Sequence, residues 1–132
     1  ALENIIKFYP NVLYLRINYP ICHTVSPKNL ITKLQSYTTV EDCAFSCTYV
    51  NELFPICIKM IESNEKGVCN FMNSGVVNLV DIKKKLGGEF EIKNLPIDCK
   101  RSYAKCEIGM LAKYGVSDIN DAVAKCIENY GK

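Results

Sequence analysis

The sequence predicts an all-α fold: a disulfide-stapled bundle of about six or seven short helices, built as two degenerate three-helix repeats. Three observations predict it. Apolar residues recur at three- and four-residue steps along most of the chain. Ser, Thr and Asp stand where helices would begin, and Gly where they would end. Eight cysteines fall into two groups of four.

The elements follow in order. Leu2, Ile5, Ile6 and Tyr9 fit a helix up to Pro10, and Val12 to Tyr19 (VLYLRINY) reads as helix or strand. Ser26-Pro27 is an N-cap followed by proline at the first helical position, so 26–37 reads as a helix with Leu30, Ile31 and Leu34 on one face. Thr38 and Glu41 form a capping box for a helix carrying Val40, Cys43, Ala44, Cys47, Val50 and Leu53. Pro55 breaks it and opens another, 55–64, with Gly67 as its terminator. Ser74 caps a helix through Val77, Val80 and Leu86, stopped by Gly87-Gly88; the run 89–94 is extended or loop. Pro96 opens a longer helix through Cys99, Tyr103, Cys106 and Met110, ended by Gly115. Ser117 or Asp118 caps the last, with Ile119, Ala122, Val123 and Cys126 inward and Gly131 past its end.

Composition narrows the classes. With 132 residues, the chain suits a single compact unit, and 48% apolar residues suffice for a core. A net charge of +2, with no basic run longer than Lys83-Lys84-Lys85, gives no reason to expect nucleic acid. No stretch of eighteen apolar residues exists to span a membrane. The start at Ala1, without a basic or apolar leader, suggests a processed N-terminus. Eight cysteines in a short chain point to an oxidising compartment, hence secretion, and to disulfides. Metal is disfavoured: there is no C-x2-C and His23 is the only histidine. His23 reads as a solvated loop residue.

The cysteines suggest duplication. Block one, 22–65, runs Cys22, Cys43, Cys47, Cys57, or C-x20-C-x3-C-x9-C. Block two, 69–131, runs Cys69, Cys99, Cys106, Cys126, or C-x29-C-x6-C-x19-C. Each opens with a cysteine, a loop containing serine, then Asn-Leu and a lysine-bearing helix. Cys43 and Cys47 sit one helical turn apart, a poor geometry for a mutual bridge. The choices left in block one are Cys22–Cys43 with Cys47–Cys57, or Cys22–Cys47 with Cys43–Cys57. Block two offers the analogous pair. The blocks are expected to share one core, because the joint at 63–67 is short.

Catalytic patterns are missing. There is no glycine-rich phosphate loop, H-E-x-x-H or G-x-S-x-G, so neither a cofactor nor an enzyme is expected. Glu41-Asp42 and Glu89/Glu91 read as solvated charges. Six of the eight tyrosines, Tyr19 and Tyr37 among them, lie within about ten residues of a cysteine. They read as core-packing rings with hydroxyls at the rim, or alternatively as a tyrosine-rich recognition surface.

Two cysteine–tyrosine–cysteine units, Cys47-Tyr49-Cys57 and Cys106-Tyr114-Cys126, resemble the bicycle proteins, aphid salivary effectors linked to plant galls. The resemblance implies a secreted, non-enzymatic effector delivered into plant tissue and binding a host macromolecule, with Tyr49 and Tyr114 as motif tyrosines. The alternative is a secreted carrier of a small hydrophobic ligand: Cys43-x3-Cys47 is similar to the C-x3-C of insect odorant-binding proteins, although the eight-cysteine layout departs from their usual six. A toxin or protease inhibitor ranks lower.

Overall fold

The chain is mixed α/β, not all-α. The computed structural model describes residues 4, 8–94 and 109–132. The described elements are β1 (Leu13–Arg16), β2 (Pro20–Ile21), α1 (Leu30–Ser36), β3 (Thr39–Glu41), β4 (Ala44–Phe45), β5 (Thr48–Tyr49) and α2 (Val50–Glu62). After them come β6 (Gly67–Asn70), β7 (Val77–Asn78), α3 (Leu79–Leu86), β8 (Glu91–Lys93), α4 (Gly109–Ala112) and α5 (Ile119–Glu128).

The strands form two-stranded pairs between segments distant in sequence. β1 lies parallel to β6, β2 to β5 and β3 to β8, while β4 and β7 are antiparallel. A parallel pair cannot be closed by a tight turn; it needs a crossover through other structure. The crossovers here contain the helices, so the pairing makes this an α/β fold rather than a bundle.

The largest correction is the helix expected from Thr38 to Leu53. The structure has three short strands there, and helix begins only at Val50. Val40, Cys43, Phe45, Ser46, Cys47, Thr48 and Tyr49 are all buried. A segment covered on every side has no polar face, so apolar spacing does not separate helix from strand. Pro55 corrects a second expectation. It lies inside α2 and divides nothing. Leu53, Ile56 and Met60 bury one face of that helix, which offsets the hydrogen bond that proline forfeits.

Other signals match the structure. Asp118 caps α5, its side chain accepting from the Asn120 N–H. Gly87, at φ +83°, ends α3. Two caps move: Asn29 rather than Ser26 starts α1, and Asn78 rather than Ser74 starts α3. The helices expected up to Pro10 and from Pro96 to Gly115 lie largely outside the described residues.

The apolar residues form two clusters. The first gathers Ile21, Ile31, Leu34, Val40, Phe45, Tyr49, Ile82, Ile119, Val123 and neighbours. It draws on both four-cysteine blocks, and β3–β8 and β4–β7 also join them. The second gathers Leu53, Ile56, Met60, Cys69, Phe71 and Leu111 under Leu13 and Leu15 of β1. Glu52 on α2 spans from one to the other. It accepts from the Ser117 N–H at 2.9 Å, the Ser117 hydroxyl at 2.6 Å and the Asn73 amide at 3.0 Å. Asn73 is itself buried, and its carbonyl accepts from the Tyr49 N–H at 2.8 Å.

Candidate functional site

A cleft of about 450 Å³ opens between the β1–β2 link, α1 and β3. Its floor is apolar: Leu34 and Val40 are buried, and Leu30, Leu79 and Pro20 complete it. Tyr19 and Tyr37 supply aromatic walls, while Lys28, Lys33 and Glu41 supply charge. Such a lining suits a ligand with a planar, weakly polar end and an anionic end.

The scaffold around the cleft is held at each end of α1. At its start, the Asn29 side chain accepts from the Ile31 N–H and donates to the carbonyls of Cys22 (2.6 Å) and Thr24 (2.9 Å). At its end, Lys83 reaches across from α3. This lysine is 3% exposed, and its ammonium donates to the carbonyls of Leu34 at 2.6 Å and Gln35 at 3.3 Å. A buried ammonium is costly unless paired with acceptors, and helix C-terminal carbonyls are acceptors that also favour positive charge. The first lysine of the basic run is therefore not simply part of a solvated helix end.

The wall on the β1–β2 side is held as firmly. The Asn18 side chain donates to the Ser46 carbonyl at 2.9 Å, and the Asn18 backbone carbonyl accepts from the Thr48 N–H at 2.9 Å. Tyr19 then takes φ +40°, a left-handed conformation costing a bulky residue on the order of 1–3 kcal/mol. Its ring lies on Phe45, with centroids 4.3 Å apart and planes tilted by 36°.

The expected motif tyrosines Tyr49 and Tyr114 and the cysteines do not line this cleft. Tyr49 is buried in the first cluster, its hydroxyl 3.3 Å from His23 Nδ1; Tyr114 sits by the second, its hydroxyl donating to Glu65 at 3.2 Å. His23 is not a solvated loop residue. Its N–H donates to the Asn51 side chain at 3.0 Å, and its Nε2 lies 3.2 Å from the Asn51 amide nitrogen. Among the described residues, Cys22, Cys47, Cys57, Cys69 and Cys126 are thiols without a bridge; Cys43 is buried, and Cys99 and Cys106 lie outside the described residues. Burial, reinforced by the nearby Cys22, pushes the Cys126 thiol up to about 12, and burial beside Cys126 raises Cys47. Neither is a reactive thiolate near neutral pH. Among the described residues, no three His, Cys, Asp or Glu side chains converge as a metal site, and no helix is long and apolar enough to cross a membrane.

Lys28, Lys33 and Glu41 were not picked out as a site, because single charges at those spacings form no motif. Tyr19 and Tyr37 carried the one available signal, the tyrosine-rich surface reading.

No protein-family model matches the chain. It is 36% identical over 102 residues to the trifunctional Arabidopsis thaliana enzyme RHM1, a UDP-glucose 4,6-dehydratase, 3,5-epimerase and UDP-4-keto-L-rhamnose reductase; the match covers 74% of this chain and 15% of that one. It is 42% identical over 78 residues to the Arabidopsis bifunctional dTDP-4-dehydrorhamnose 3,5-epimerase/reductase, covering 58% of this chain and 26% of that one. Its fold matches the mimivirus L780 UDP-rhamnose synthase with a TM-score of 0.83 at 24% identity, over 96% of this chain and 49% of that one. It also matches the Bacillus anthracis dTDP-4-dehydrorhamnose reductase bound to NADP, with a TM-score of 0.71 at 14% identity, over 96% and 52%. The chain thus spans about half the length of these solved structures and a smaller share of the curated relatives.

These matches overturn the aphid effector reading, and with it the expectations of a non-enzymatic protein, a plant host target and secretion. The odorant-carrier alternative falls with the all-α fold on which it depended. Both readings took the cysteines as a secretory framework; in the structure the first-cluster cysteines act as small apolar core residues.

The relatives' dinucleotide can be tested against the residues present. A Rossmann-type site holds the pyrophosphate on a G-x-G-x-x-G turn that opens a helix. No glycines here have that spacing, and Gly87-Gly88 follows the C-terminal end of α3, where carbonyls rather than N–H groups are exposed. The phosphate cradle does not fit this chain. The chain shares the fold of the Rossmann-like sugar-nucleotide reductases and is similar in sequence to the rhamnose-forming enzymes among them.

Proposed function

We propose that this chain is the nucleotide-sugar-holding part of an NAD(P)-dependent reductase that acts on a 4-keto-rhamnose nucleotide. The observation that carries the proposal is the 36% identity with the RHM1 enzyme over 102 residues. Reduction of a 4-keto-rhamnose nucleotide is the activity common to that enzyme, the bifunctional relative and the matched bacterial reductases. The cleft supports the same reading on chemical grounds. A nucleoside diphosphate sugar has a planar base for an apolar, aromatic lining, two phosphates for Lys28 and Lys33, and hydroxyls for Glu41. In this role the chain binds and orients the substrate, and the dinucleotide phosphates are held elsewhere.

Isothermal titration of the chain with UDP-L-rhamnose tests the binding role. Saturable binding that weakens with added salt is expected, because the lysines are exposed. Lys33→Glu should weaken it at least about tenfold, the loss of one charge-assisted contact. For activity, the matching half of the mimivirus enzyme is replaced by this chain. Dinucleotide oxidation dependent on a UDP-4-keto-rhamnose substrate is expected. A folded chimera without activity, joined to a chain that ignores UDP-sugars, overturns the proposal.

A further inference from the structure

Tyr19 lines the cleft in a left-handed backbone conformation. We infer that it is a specificity-determining residue, its ring immobilised as a platform for the pyrimidine base of the nucleotide sugar; this rests on the substrate reading above. Several observations converge on it. The φ of +40° is one that bulky side chains rarely adopt, and the following Pro20 restricts the residue before it further. The conformation persists because both neighbours are tied to one strand segment. Asn18 bonds to Ser46 and Thr48, while Pro20 and Ile21 pair with Thr48 and Tyr49. Strain that is over-determined by its surroundings and sits at a cleft marks a functional position.

The direction of the ring supplies the ligand chemistry. One face rests near Phe45, which is buried. The side chain also lines the cleft together with Pro20, Leu34, Val40 and Leu79. These residues make up most of the apolar part of the cavity lining. Of the parts of a nucleotide sugar, only the base is flat and weakly hydrated; the diphosphate and sugar belong with the lysines and Glu41. An immobilised ring loses little freedom on binding, so its stacking is not offset by an ordering cost.

The test uses UDP as probe with the chain, Tyr19→Phe and Tyr19→Asn. Asparagine tolerates the left-handed conformation, so Tyr19→Asn removes the ring and keeps the backbone. Expected are binding within about twofold for Tyr19→Phe, at least tenfold weaker binding for Tyr19→Asn, and an upfield ring-current shift of uracil H5 and H6 that Tyr19→Asn loses. Nuclear Overhauser contacts between the Tyr19 ring and the uracil protons of bound UDP need no substitution, and decide the matter even if Tyr19→Asn fails to fold. If the unsubstituted chain binds UDP but shows these contacts to the ribose or not at all, or if Tyr19→Asn binds equally well, the Tyr19 assignment is wrong and the cleft reading stands. If the unsubstituted chain does not bind UDP, the cleft reading falls and takes the Tyr19 assignment with it.

Discussion

The two apolar clusters of this chain are finished to different degrees. The first, beneath the cleft, is covered by α1, α3, α5 and the short strands around it, and its polar intrusions are all partnered. Among the described residues, the second is covered on one side only. Helix α2 presents Leu53, Ile56 and Met60 inward, yet its outward side carries Val50, Phe54, Ile58 and Ile61, with Phe54 61% and Ile61 62% exposed. Beside it, β1 pairs only with β6 among the described residues. Parallel strands are normally buried on both faces, and the apolar stripe of α2 extends beyond its buried face while Asn51, Glu52, Lys59 and Glu62 form its polar side. The difference teaches that the cleft side is self-sufficient while the β1–α2 side has the surface character of a larger sheet. That agrees with solved relatives about twice as long.

The sharpest way to break this contrast is to substitute both sides of α2. Met60→Ala, at a fully buried position, should lower unfolding stability by about 2–5 kcal/mol. Phe54→Glu, on the same helix, should change it by no more than about 0.5 kcal/mol and improve solubility. Urea unfolding followed by circular dichroism measures both. Equal losses would mean the outer stripe is covered within this chain.

The joint between the clusters comes next. Glu52→Gln keeps the shape of the side chain but removes the charge that accepts from Ser117 and Asn73. A loss of about 1–3 kcal/mol is expected. Separate transitions for the two clusters in the variant, seen by residue-resolved hydrogen exchange, would sharpen the picture of two units held by one carboxylate.

Alkali should act mainly on the first cluster. Cys126 rises from 9.0 to about 12 on folding through burial. Above pH 9 the unfolded chain releases this proton while the folded chain keeps it, so stability is full below about pH 9 and falls as pH rises toward 12. Cys126→Ala should flatten that slope between about pH 9 and 12. An equal slope in both proteins would place the titrating group elsewhere.

Thiol reactivity is the mildest probe. Cys57, half-buried in the second region, should react with a disulfide reagent in the folded chain, whereas Cys47 and Cys126 should react only on unfolding. Non-reducing peptide mass spectrometry distinguishes slow thiols from bridged ones. A Cys47 bridge would restore the disulfide framework expected from the cysteine count.

Much of the helical punctuation was legible. Asp118 before Ile119, Gly87 after Leu86 and the extended run near 91–93 are local signals, read within a turn of chain. The segment 39–49 was not legible. Its strands owe their existence to partners remote in sequence, such as Ile92 opposite Val40 and Val77 opposite Phe45. The cysteines are ambiguous for a related reason: a buried thiol and a disulfide half carry the same letter, and only the neighbours distinguish them. The cleft was hidden too, since Tyr19, Lys33 and Glu41 form no motif and meet only when α1 is clamped by Lys83.

By itself the sequence determined local matters: where most helices stop, how several begin, and that enough apolar surface exists for a core. Capping, φ preference and apolar content act within a few residues, so they survive without knowledge of the partner. Tertiary structure alone decided between bundle and parallel α/β, and between scattered charges and a cleft. Those depend on pairings across the chain, where a strand's hydrogen-bond partner and a lysine's acceptor are supplied by residues that no local pattern names.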